Sequence, residues 1–96
     1  MGSCAHDALA SFPGADLVDK GMHDLESGRE SVEALLVSIG AHRLSALGLE
    51  PSAVLASPEH RLYALLAAED SDSAHARYNA LVRRLVSFER AVECAS

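Results

Sequence analysis

Five histidines (His6, His23, His42, His60, His75) and two cysteines (Cys4, Cys94) are the side chains best suited to hold a metal or act as nucleophiles. Their spacing argues against both uses. Metal ligands on one helix must stand three or four positions apart to share a face. No two histidines do so, and the absence of Glu-x-x-His removes a carboxylate-bridged di-iron bundle. Asp19-x-x-x-His23 and Asp72-x-x-His75 place an acid one helical turn before a histidine. Each would supply only part of the ligand set a zinc site takes. Cys4 and Cys94 have no base fixed beside them in sequence, so neither reads as a nucleophile. Gly40 and Gly48 are too widely spaced for a phosphate loop, and no Lys-Ser or Lys-Thr follows them. No catalytic, cofactor-binding or metal-binding residue is assigned, and no cofactor is expected. An enzyme built on Glu69, Glu89, Arg43 and the histidines is the weakest reading of the chain.

Charge offers a second kind of chemistry. The chain carries fourteen acids against eight bases, a net charge of −6. Residues 1–72 hold twelve acids and four bases, whereas residues 73–96 hold two acids and four bases. Four arginines fall in HARYNALVRRLVSFERAVE, residues 75 to 93. On a helical wheel Tyr78, Leu81, Leu85, Phe88 and Val92 step by three and four and form one apolar stripe. Arg77 and Arg84 border that stripe, while Arg83 and Arg90 point away from it. In heptad terms the stripe fills a and d, with Arg77 and Arg84 at g and Glu89 at e. This pattern suits a core helix first. It suits next an interface formed by Tyr78, Leu81, Leu85, Phe88, Val92, Arg77 and Arg84 with a second copy of the chain or another protein. A nucleic-acid surface comes last, because binding phosphates calls for a concentrated basic face and the chain as a whole is acidic.

Three charges fall on apolar stripes: Arg43 between Leu36 and Ile39, Glu69 beyond Leu62 and Leu66, and Glu89 beside Leu85 and Val92. Unpaired buried charges cost several kcal/mol. In an up-and-down bundle Arg43 and Glu89 approach the same end, so a buried Arg43–Glu89 pair is the expectation if these stripe ends do not simply reach solvent.

The elements that must position these groups are helical. Apolar residues are about half of the 96, mostly Leu, Ala and Val, with four aromatics and no Trp. No segment shows strand alternation. The expected fold is all-α, a four-helix bundle-like single domain with a loosely ordered N-terminal arm over residues 1–15 and a helical domain over 16–96. The helices are placed at about 16–27, 31–47, 58–70 and 73–94. Asp16, Ser31, Ser57 and Asp72 or Ser73 are the expected caps, and Gly28 and Gly48 the expected terminators. Gly40 marks either a close helix contact or a break, and Val54-Leu55 is expected to tuck into the core.

No apolar run reaches the length that spans a bilayer, no cationic leader with an apolar core opens the chain, and His6 replaces the hydroxyl of a myristoylation start. With two cysteines so far apart, reduced thiols in the cytoplasm are the expectation. The functional expectation is a small non-catalytic interaction or accessory protein, a homodimer or the partner of another protein. The alternative is a degenerate helix-turn-helix over residues 33–51, with Gly40 in the turn and His42, Arg43 and Ser45 opening the recognition helix.

Overall fold

Ser31 shows how closely local sequence dictates this fold. Its backbone is extended and its Oγ accepts the Ala34 N–H at 3.0 Å, so the next helix starts where the cap places it. The computed structural model describes residues 12–51 and 53–95. The arm expected over residues 1–15 lies mostly outside that range, as do Cys4 and His6. Five helices are described: α1 Ala15–Glu26, α2 Val32–Ile39, α3 Ala41–Ala46, α4 Pro58–Glu69 and α5 Ala74–Ala95. The fold is all-α and bundle-like, with no strand among the described residues.

The hydrophobic helix α2 is the centre of the bundle and packs against α1, α4 and α5. Ala34, Leu35, Leu36 and Val37 are fully buried on successive positions, so α2 has almost no water face. Around it close Val18 and Leu25 of α1, Leu44 of α3, Leu62 and Leu66 of α4, and Leu85, Phe88 and Val92 of α5. Gly21 makes the α1–α2 approach possible: a Cβ there would collide with the Glu33 carbonyl oxygen and with Val37.

The expected helix over 31–47 is divided at Gly40 into α2 and α3. Both anticipated roles of this glycine are realised together. The helix breaks there, and a Cβ would stand 2.9 Å from Cδ2 of Leu85 on α5. Gly48, with φ of 93°, then ends α3, and the Leu49 N–H returns to the Leu44 carbonyl at 2.8 Å.

Several caps differ from expectation. Asp16 lies in the first turn of α1, where its carboxylate accepts from Arg84 instead of capping. Ser57 precedes Pro58 as expected, yet its backbone is left-handed (φ 47°) and its hydroxyl makes no cap bond. Of the linker pair, Leu55 is half-buried and donates its N–H to Ser38 Oγ at 3.1 Å, whereas Val54 stays exposed. Between α4 and α5, Asp70 organises the turn by accepting from the Asp72 N–H and the Ser73 hydroxyl at 3.1 and 3.0 Å. The acid and serine cluster thus separates the two helices.

Candidate functional site

The apolar stripe of α5 faces the chain's own core. Leu85, Phe88 and Val92 are buried, with Phe12 packed on Phe88 at a ring-centroid distance of 6.4 Å, and Tyr78 and Leu81 are half-buried. Three of the five apolar positions expected at an interface are therefore consumed within one chain. A core helix needs the same a/d periodicity as a helix pairing with a partner, so the wheel alone could not separate the two.

Arg77 and Arg84, the stripe's basic border, meet acids of the same chain. Arg77 pairs with Glu69 at 3.0 Å and Arg84 with Asp16 at 3.0 Å. Val32 and Glu33 of α2, Glu69, and Arg77, Leu81 and Arg84 of α5 line a groove of about 400 Å³. Both arginines are already tied to carboxylates at its edges, so the groove has no unmatched charge to offer.

Arg43 does not pair with Glu89. Its Nη2 donates to Glu93 Oε2 at 3.0 Å, one turn further along α5 and in contact with solvent. Glu89 is only 5% exposed, and its Oε2 is buried with no hydrogen-bond partner. Burial pushes the Glu89 carboxyl above its ordinary pKa, and the nearby positive charge of Arg43 offsets part of that rise. Arg43 stands in α3, beyond the break at Gly40, so a wheel drawn through 31–47 as one helix does not fix which acid of α5 it meets.

Asp24 is a second buried acid, 2% exposed, and no stripe pattern marks it. Lys20 Nζ donates to its Oδ2 at 2.8 Å and Ser31 Oγ at 2.6 Å. The Lys20 hydrogen bond, then that of Ser31, holds the Asp24 carboxyl below its usual pKa. Ser31 thereby links the end of α1 to the start of α2, and this network is structural. Its one sequence signal was the Lys20–Asp24 spacing beside Gly21 on the face that meets α2.

His23, His42, His60 and His75 are all exposed. No three His, Cys, Asp or Glu residues among those described lie close enough to hold a metal ion. His75 contacts Asn79 at 3.2 Å and stands edge-on to Tyr63, which also packs on Tyr78 at 5.8 Å. Burial, with a smaller contribution from Glu59, raises the Tyr78 hydroxyl pKa. Cys94 is an exposed free thiol.

The geometry gives the helix-turn-helix reading little. A break does occur at Gly40, but α3 is six residues long, about 9 Å at 1.5 Å per residue. Arg43, which that reading sets at the opening of the recognition helix, is occupied by Glu93.

On the outer side of α5 the arginines behave differently. Arg83 and Arg90 are exposed and make no ion pair among the described residues, unlike Arg77 and Arg84. With Asn79, Val82, Val86 and Ser87 they line a shallow depression of about 410 Å³. This face, not the stripe, carries the helix's unmatched charge. No family model, curated protein or solved structure matches the chain.

Proposed function

We propose that the protein is a small non-catalytic interaction or accessory protein, associating with another protein or a second copy of itself through its later helices. The observation that carries this reading is the set of large apolar side chains left exposed on α4 and α5: Tyr63 at 40%, Leu65 at 37% and Val86 at 37%. Contiguous apolar surface rimmed by polar residues marks protein-binding sites, and these three side chains are the apolar surface that α4 and α5 offer a partner. The free thiol of Cys94 suits a reducing compartment, and we place the protein in the cytoplasm on that ground. No described helix is long and apolar enough to cross a membrane.

Sedimentation equilibrium over a wide concentration range, with cross-linking in the native cell from an exposed site on α4, tests the reading. A concentration-dependent rise in mass or a discrete cross-linked product supports it. A strict monomer with no cross-linked product would end it.

A further inference from the structure

We propose that the outer face of α5 is a docking site for an acidic amphipathic helix of another protein, gripped by Arg83 and Arg90 across an apolar strip made by Val82 and Val86. This inference rests on the interaction reading above and names the surface and the chemistry of the partner.

The spacing is the first support. Asn79, Val82, Arg83, Val86, Ser87 and Arg90 step by three and one along a single helix, so they share one side of it. The strip is about 17 Å long at 1.5 Å per residue, enough to seat three turns of a partner helix. Val86 is 37% exposed and Val82 half-buried, so both give the depression an apolar lining on the side of the helix that carries Arg83 and Arg90.

Charge supplies the second. Lys20, Arg43, Arg61, Arg77 and Arg84 each have a carboxylate partner. Arg29, Arg83 and Arg90 make no ion pair among the described residues, although the chain carries fourteen acids, and of these three only Arg83 and Arg90 share a helix. Arg83 and Arg90 are one heptad apart, the repeat at which helical side chains return to the same side. A helix with carboxylates seven residues apart and leucines between them would complement both the charges and the apolar lining of the depression.

The same geometry disfavours other occupants. Pairing this face with itself sets Arg83 and Arg90 against each other in an antiparallel register, and each against its own copy in a parallel one. Like charges so placed destabilise the pair. Nucleic acid needs more phosphate contacts than two arginines provide, and the net charge of −6 repels it.

The test uses the full chain and a synthetic amphipathic peptide of about three heptads, with leucine at the core positions and glutamates one heptad apart. Its control carries glutamine for glutamate. The expected result is saturable binding that shifts the backbone amide resonances of residues 79–90. Binding should weaken by about tenfold in the R83E/R90E double variant and with the glutamine control, as losing two exposed ion pairs implies. Arg84→Gln should leave it unchanged. Thermal midpoints of both variants show that the fold is kept. Equal binding by wild type and R83E/R90E, shifts centred on Tyr63 and Leu65, or no binding at all would overturn the site. Self-association of the wild type that R83E/R90E abolishes would also overturn it, by making this face a contact between copies of the chain, while leaving the interaction reading standing.

Discussion

Gly40 and Glu89 face each other across the contact between the α2–α3 break and α5. A methyl group on the glycine would stand 2.8 Å from Glu89 Oε2. The missing side chain at position 40 is what lets a carboxylate lie against a helix break, and that carboxylate oxygen is buried without a donor. Arg43, three residues beyond Gly40, bonds Glu93 instead. The chain therefore holds a buried acid that works against its own stability when ionised.

The sign of that effect with pH follows from burial. Desolvation raises the Glu89 pKa above the ordinary 4.5, so the folded chain holds this proton more tightly than the unfolded one. The resulting stabilisation is complete below the ordinary value and is lost as pH rises through the folded-state pKa. At neutral pH, Glu89→Leu should stabilise the protein by about 1 kcal/mol, with the gain shrinking in acid. Arg43→Leu, which breaks an exposed pair, should cost no more than about 0.5 kcal/mol. Urea midpoints at neutral and acid pH measure both, and a neutral-pH loss from Glu89→Leu would show that the carboxylate has a stabilising partner.

Two glycine substitutions should differ in severity. At Gly40 a new Cβ meets the ends of the Glu89 and Leu85 side chains, which can shift. At Gly21 it meets the Glu33 carbonyl, which cannot move unless α1 and α2 separate. Gly21→Ala should lose about 3 kcal/mol, at the top of the range for overpacking, and outweigh the roughly 1 kcal/mol that alanine gains in a helix. Gly40→Ala should come out near neutral, since the two effects are of similar size there. Chemical denaturation ranks the pair, and a Gly21→Ala variant as stable as wild type would contradict the tight crossing.

Ser31 both caps α2 and donates to Asp24. Ser31→Ala should cost about 1–2 kcal/mol, the upper part of the range for a lost N-cap. It should also raise the Asp24 pKa by removing one of the hydrogen bonds that lower it. Asp24 acts in the opposite sense to Glu89: its contribution is present above the ordinary carboxylate value of 3.8 and is lost as pH falls through the folded-state pKa. Carboxyl carbon shifts through an acid titration report both groups, and an unmoved Asp24 titration in Ser31→Ala would break the link.

The helical class, the cap at Ser31, the terminators Gly28 and Gly48 and the break at 70–73 were legible because each is decided within a few residues by backbone preference. The pairing of Arg43 was not, because it depends on where α3 sits against α5, and a wheel drawn through Gly40 as one helix carries no such distance. Glu89 was placed correctly on the buried face by the wheel, yet the wheel carries no distance to a partner helix. Gly21 and Asp24 went unmarked because neither registers as apolar, although they sit where α1 meets α2. Arg83 and Arg90 could be placed on the far side of α5 from sequence. Which arginines find carboxylates depends on how α5 packs, which sets Glu69 beside Arg77 and Asp16 beside Arg84 and leaves Arg83 and Arg90 without an ion pair among the described residues.

The stripe on α5 gives the sharpest distinction between core and interface. Phe88 touches Phe12 and lies inside the cluster that surrounds α2. Phe88→Ala should then cost about 3–5 kcal/mol, as truncating a buried aromatic does. Because that loss is internal to one chain, the drop in thermal midpoint from wild type to Phe88→Ala should be the same at every protein concentration. An interface residue would behave otherwise: its truncation would lower the association constant and leave the isolated chain folded. Leu85→Ala should follow Phe88→Ala at about 2–5 kcal/mol. Unfolding curves at two widely separated concentrations, with mass measured in parallel, decide the matter. A midpoint that rises with concentration in the wild type and loses that dependence in Phe88→Ala would return the stripe to an interface.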